Sequence, residues 1–169
     1  MDMPRGSDLQ GVVVLRPVID ADLDEHFRQQ ADPESARMAA VAARDRPEFD
    51  RKWAELRADP ATTLRTITLD DEVAGHLVGW EQSPGHQAIG YRIGRRYWGR
   101  GIATEALRQF LELVPHRPVW ADVAAHNTGS VRVLEKCGFT QVGTEAVDDE
   151  LVGPIVMLRF EFAEADSAV

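Results

Sequence analysis

Arg92-Ile93-Gly94-Arg95-Arg96-Tyr97-Trp98-Gly99-Arg100-Gly101-Ile102-Ala103-Thr104 joins two stretches of different hydrophobic period. Before it, residues 87–94 alternate, with Ile89, Tyr91 and Ile93 on one face, and predict a strand. After it, residues 101–114 place small or apolar side chains at 103, 106, 107, 110, 111 and 114, an amphipathic helix. Gly99 and Gly101 permit positive φ and a close approach of backbone to a ligand. The unpaired amides that open the helix, with its dipole, favour an anion there. A bare G-x-G is more often a tight turn, and surface arginines are often only solvated. The strand–loop–helix context and the four arginines Arg92, Arg95, Arg96 and Arg100 shift the balance to an anion site. It is not a Walker loop, because no Gly-Lys-Ser/Thr follows. Nor is it G-x-G-x-x-G, because Thr104 takes the third glycine's place.

Outward from this joint, residues 11–16 predict a first strand ended by Pro17, and residues 20–30 a helix with an acidic first turn. The Ala-rich residues 34–44 predict a second helix. Asp45-Arg46-Pro47-Glu48 is a helix start, with an acidic cap and proline in the first turn, and that helix runs to Ala58. Residues 62–69 and 73–81 predict strands joined at Asp70-Asp71. Residues 118–125 predict a strand, 128–136 a helix closed by Gly138, and 140–147 with 151–162 a final strand pair. Neighbouring strands followed by alternating strands and helices predict a mixed sheet with helices on both faces. One domain over residues 11–162 is expected, with flexible termini at 1–10 and 163–169.

Composition bounds the function. The 169 residues are 44% hydrophobic and 28% charged, enough for one sizeable core. Nineteen Lys and Arg against 28 Asp and Glu give a net charge of −9, which argues against a general binder of nucleic acid or anionic membrane. A single cysteine, Cys137, allows no internal disulfide and fits a reducing, cytoplasmic setting. The N-terminus has no apolar signal region, and no run approaches a membrane span. The five histidines, 26, 76, 86, 116 and 126, lack a metal-ligand spacing, so no metal site is expected. Thr128-Gly129-Ser130-Val131 is not a nucleophile elbow.

Arg96-Tyr97-Trp98-Gly99-Arg100-Gly101 resembles the Q/R-x-x-G-x-G/A signature of the GNAT N-acetyltransferase superfamily. The longer run from Tyr97 to Ala106 looks like the branch of ribosomal-protein-alanine N-acetyltransferases. So does a second block, His126-Asn127-Thr128-Gly129-Ser130 followed by Val133-Leu134-Glu135-Lys136-Cys137-Gly138-Phe139. The resemblance covers nearly the whole chain, from Gly11 to Phe162. It implies a mostly antiparallel α/β sheet of six to seven strands, splayed in the middle, with acetyl-CoA in the split as co-substrate. It implies that Arg95, Arg96, Gly99, Arg100, Gly101, Ile102, Ala103 and Thr104 hold the pyrophosphate. Tyr91 and Ile93 would pair with pantetheine as an added strand, and Asn127 would contact its arm. Asn127 also stands where a helix N-cap belongs, with Ser130 three residues on.

Two proton-transfer positions of many relatives are apolar here: Ala88 stands in place of glutamate and Leu134 in place of tyrosine. Glu81, at a strand end beside the expected split, is a candidate base, although a solvated strand-end carboxylate explains it as well. Ser130 is a candidate proton donor to the leaving thiolate, although it is also a first-turn serine. Asp148, Asp149 and Glu150 read first as a solvated hairpin turn. Asp20, Asp22, Asp24 and Glu25 give the first helices an acidic character that suits a cationic acceptor, or simply complements a helix dipole. Acetyl transfer to a primary amine, either a protein N-terminus or a small molecule, is the leading expectation, by a monomer or homodimer. A CoA-binding module without chemistry is the alternative, and a generic ATP or NAD binder a weaker third.

Overall fold

A computed structural model describes residues 9–114 and 116–163; most of the two expected flexible termini lies outside these. Seven strands, β1 (Val13–Arg16), β2 (Thr63–Leu69), β3 (Glu72–Ser83), β4 (His86–Ile93), β5 (Val119–Ala124), β6 (Thr140–Asp149) and β7 (Gly153–Phe162), form one sheet. Their order is β1-β2-β3-β4-β5-β7-β6. Every neighbouring pair is antiparallel except β4–β5. That parallel pair is joined at two positions only, Gln87 to Val119 and Ala88 to Trp120. From Ile89 onward β4 leaves β5, while β5 continues to pair with β7 as far as Ala124. The sheet therefore opens in its middle, as expected.

Five helices, α1 (Leu23–Ala31), α2 (Pro33–Ala39), α3 (Arg46–Ala58), α4 (Ile102–Leu113) and α5 (Thr128–Lys136), cover the sheet. Alternation along the strands decides which face each helix covers. Ile67, Leu69, Leu77, Ile89 and Ile93 join Leu107, Phe110 and Leu134 in the main core under α4 and α5. Leu64 and Val78, from the opposite face, join Phe49, Trp53 and Phe27 in a second cluster under α1 and α3. Phe110 is fully buried, and burying a side chain of this kind contributes about 1.5–3 kcal/mol.

The helix expected over 34–44 stops at Ala39, with Ala40 in the left-handed region at φ 53°. Alanine propensity is overridden by a side chain from α1. The Gln30 amide donates to the Arg44 carbonyl (3.1 Å) and accepts from the Arg44 N–H (2.7 Å), holding 41–45 as a loop. The helix expected over 20–30 begins instead as a 3-10 turn over Asp20–Asp22. The cap read at Asp45 is present: its carboxylate accepts from the Glu48 N–H at 3.0 Å.

A buried polar chain ties the first helices to the sheet. Arg16 donates twice to Asp22 (2.7 and 2.8 Å), the Thr66 hydroxyl donates to Asp22 (2.8 Å), and His26 Nε2 lies 3.0 Å from Thr66 Oγ1. Since the Thr66 proton goes to Asp22, His26 Nε2 carries the hydrogen toward Thr66. Burial pushes the Asp22 carboxyl upward, but the Arg16 pair, the Ile19 amide and Thr66 outweigh it and hold its pKa down at about 2. A depressed carboxylate stabilises the fold above its unfolded pKa near 4 and loses that contribution as pH falls toward 2. Asp22→Asn is expected to cost about 2 kcal/mol at pH 7 and to abolish the loss of stability between pH 4 and 2, read by denaturant titration at each pH. A wild-type-like pH profile in this variant contradicts the assignment.

Candidate active site

The joint 92–104 builds the floor of a cavity. β4 ends at Ile93, a 3-10 turn spans Arg95–Tyr97, and α4 begins at Ile102. Gly99 (φ 73°) and Gly101 (φ 80°) are both left-handed, which turns the chain into the helix. Among the described residues no side chain caps α4, which leaves the amides of its first turn without a capping partner. Trp98 is anchored by its indole N–H to the Ile93 carbonyl at 2.8 Å. Tyr97 is buried and accepts the Arg96 guanidinium at 2.7 Å.

A cavity of about 400 Å³ opens over these amides, lined by β4, the joint and α5. Of the residues singled out in the sequence for the cofactor, Tyr91, Ile93, Gly99, Arg100, Gly101, Ile102, Ala103, Thr104 and Asn127 all line it. Arg95 and Arg96 do not. Arg95 pairs with Asp32 (2.9 Å) and Arg96 with Glu72 (2.8 Å), so two of the four arginines that marked the loop are held by carboxylates outside the cavity. Arg132 and Lys136, which line it from α5, went unnoticed in the sequence. The signal was there, in the helical spacing of Gly129, Arg132, Val133 and Lys136 after the Asn127 cap. Among the described residues, Arg100, Arg132 and Lys136 form no ion pair. Free cations beside uncapped helix amides are what a polyanionic nucleotide-type ligand such as CoA requires.

The two readings of Asn127 coexist. Its side chain caps α5, accepting from the Ser130 N–H at 3.2 Å, and it also lines the cavity. Ser130 Oγ lies 2.6 Å from the Tyr91 hydroxyl, across the split between β4 and α5. Burial pushes Tyr91 up to about 12, so its phenol is protonated at neutral pH. Ala88 and Leu134 are both buried and apolar, as their residue types demand.

A second cavity, of about 580 Å³, lies on the α1–α3 side of the sheet. His76, Val78, Trp80 and Glu81 of β3 line it, and Arg92 lines both cavities. Glu81 thus lines the second cavity and not the first, where Ser130 lies. The acidic residues of the first helices are elsewhere. Asp20 pairs with Arg57, Asp22 with Arg16, Asp24 with Arg46 and Glu25 with Arg28, so their charge is spent within the fold and none lines either cavity. Asp149 closes its hairpin turn by accepting from the Leu151 and Val152 amides (both 2.9 Å), and the turn lines neither cavity. His26 is buried and His76 half-buried beside Trp53. Burial lowers both, His26 to about 4, so both are neutral at pH 7. Cys137 is half-buried, its thiol 3.5 Å from the Thr104 carbonyl, and burial raises its pKa, which makes it an unreactive packing residue.

The GNAT acetyltransferase domain family matches residues 13–140. The chain belongs to this family of N-acetyltransferases. It is 47% identical over 60 residues to YjcK of Bacillus subtilis (strain 168), named as a probable N-acetyltransferase; the match covers 32% of this chain and 33% of that one. The chain spans about a third of the length of the curated relatives it matches. Among solved structures, spermidine N-acetyltransferase from Vibrio cholerae, in complex with CoA and spermine, superposes with a TM-score of 0.80. The identity is 16%, over 89% of this chain and 95% of that one. Ribosomal-protein-alanine N-acetyltransferase from Brucella melitensis gives 0.78 at 18% identity, over 89% and 99%. These likenesses establish the mixed α/β fold with its seven-stranded sheet.

Asn127→Asp separates the two roles of this residue. Aspartate caps a helix as well as asparagine, so thermal stability is expected to hold. Its charge faces the cavity, so CoA affinity is expected to fall roughly tenfold or more by calorimetry. Loss of stability with unchanged affinity reverses the reading.

Proposed function

We propose that this single domain, over residues 11–162, is an acetyl-CoA-dependent N-acetyltransferase that acts on a primary amine, close to the ribosomal-protein-alanine branch of its family. The observation that carries it is the free edge of β4. Among the described residues this edge has no partner strand on the β5 side from Ile89 to Ile93, and the 94–101 joint leads from it to the uncapped start of α4. A strand edge with unpaired N–H and C=O groups can receive the amides of pantetheine as a further strand. The α4 amides, Arg100, Arg132 and Lys136 receive the phosphates.

Acetyl-CoA supplies an acyl group activated as a thioester. The chain's residues must then deliver a neutral amine and return a proton to the thiolate. An alkylamine of pKa near 10 is only about one part in a thousand neutral at pH 7, so a base is needed. Glu81, which lines the second cavity, takes the amine proton through a water. The Ser130 hydroxyl, backed by the protonated Tyr91, gives a proton to the sulfur as the C–S bond breaks and the C–N bond forms. A β4 backbone N–H near Ile93 supports the charge on the carbonyl oxygen. A module that binds CoA without chemistry is the second reading, and buried Ala88 and Leu134 favour it.

Thermal unfolding with acetyl-CoA, CoA, ATP and NAD in parallel tests the site. At about 100 times Kd a ligand stabilises by about 2.7 kcal/mol, a few degrees for a domain of this size. A shift with the two CoA species alone is expected; an equal shift with ATP and NAD sinks the reading. Thiol release with an amine panel then separates enzyme from module. Glu81→Gln is expected to lower kcat/KM toward the amine, and an unchanged kcat/KM shows that the base lies elsewhere.

A further inference from the structure

The second cavity has the wrong sign for a polycation. In a protein of net charge −9, three cationic side chains, Arg44, Lys52 and Arg92, line it, against Asp59 and Glu81. Asp59 is already occupied: one oxygen accepts from the Ala61 N–H at 2.9 Å and the other from the Thr62 hydroxyl at 3.1 Å. None of the three cations makes an ion pair among the described residues, whereas Arg16, Arg28, Arg37, Arg46, Arg57, Arg95, Arg96 and Arg159 all do.

Arg92 is the informative one. It is half-buried, it stands between the two cavities, and its contact in the fold is a neutral hydroxyl, Ser35 Oγ at 2.6 Å. Asp32, the nearby acid, is engaged elsewhere, capping α2 through the Glu34 N–H and pairing with Arg95. Arg44 is near enough that its charge, after burial, lowers the pKa of Arg92. The Gln30 side chain fixes Arg44 there by gripping its backbone on both sides. Two guanidiniums brought together without a carboxylate between them repel, and a half-buried cation without a counter-ion is costly. An arriving anion removes both penalties, and guanidinium pairs suit the two oxygens of a carboxylate. Trp53, Leu56, Val78 and Trp80 give the cavity an apolar wall, beside the polar Gln30, Thr62 and His76.

We propose that the acceptor is an amino acid whose carboxylate is held by Arg92 and Arg44 and whose side chain packs on the apolar wall, leaving its amine to face the split. This names the substrate class of the acetyltransferase reading and rests on it. A polyamine, an aminoglycoside or an internal peptide amine offers no anion to this pair.

The test has two arms. In the transfer arm, the protein with acetyl-CoA is given the twenty L-amino acids, their carboxamides, spermine and an N-terminal alanine peptide, and free thiol is measured. At least one amino acid is expected to exceed its own carboxamide roughly a hundredfold in kcat/KM. Arg44→Ala and Arg92→Gln are each expected to raise KM for that amino acid roughly ten- to a hundredfold and to erase its advantage over the carboxamide. Preference for spermine, for the peptide or for carboxamides overturns the proposal, as does an equal loss toward every amine in both variants. In the binding arm, calorimetry with the same amino acids and carboxamides is run on the wild-type protein without and with CoA. This arm needs no turnover. Binding of an amino acid but not its carboxamide, abolished in Arg44→Ala, supports the proposal, and no amino-acid binding in either state overturns it. CoA affinity measured alongside keeps the two readings apart. If CoA fails to bind, the acetyltransferase reading fails; if CoA binds and the anion preference is absent, only the substrate class fails.

Discussion

Two bridging positions hold β4 to β5, and the rest of the site follows from there being no more than two. Had the parallel ladder continued, the edge of β4 from Ile89 to Ile93 would be sealed and α5 would have no gap to border. Instead β5 keeps only β7 as its partner beyond Trp120, pairing with it from Val119 through Ala124, and the chain then enters α5 at the Asn127 cap. The Tyr91 hydroxyl spans the gap to Ser130 at 2.6 Å, so the opening is bordered by a specific polar contact. Unpaired backbone groups inside a fold are costly unless water or a ligand meets them. The split edge is therefore the place where this sheet is incomplete without something added.

Charge is distributed to the same end. Acidic residues outnumber basic ones by nine, and most arginines of the periphery are tied to carboxylates at 2.7–3.5 Å. Among the described residues, six cations without carboxylate partners, Arg44, Lys52, Arg92, Arg100, Arg132 and Lys136, line the two cavities, with Arg92 common to both, while Arg51, Arg65, Arg108 and Arg117 lie elsewhere. Exposed pairs contribute little to stability, commonly 0–1 kcal/mol. Their effect here is local: they neutralise charge on the outer surface, while both cavities keep cationic side chains without a carboxylate partner.

Much of this was legible in the sequence. The period change across Arg92–Thr104 locates the strand–loop–helix joint, and the two family-like blocks assign Asn127 and the start of α4 to one ligand, whose residues line one cavity. Local chemistry also read well at Asp45 and Asn127, where the capping side chain and its amide lie three residues apart. What failed was what depends on distant partners. Nothing local says that Gln30 will seize both backbone groups of Arg44 and stop α2 at Ala39, or that Arg95 and Arg96 will be drawn off to Asp32 and Glu72. The acidic run from Asp20 to Glu25 suggested a cationic acceptor only because its four arginine partners are far away in sequence or hidden by helical spacing. Arg92 looked like part of the phosphate loop; its alternation on β4 instead turns it to the face opposite Tyr91 and Ile93.

The central claim is that the free edge of β4 and the start of α4 form one continuous CoA site. Amide chemical-shift mapping during a CoA titration tests it most directly. Perturbations concentrated at Ile89–Ile93 and Gly99–Thr104, saturating together, are predicted. Shifts confined to the Gly99–Thr104 loop, with the β4 edge unmoved, would contradict it and leave only a phosphate-binding turn.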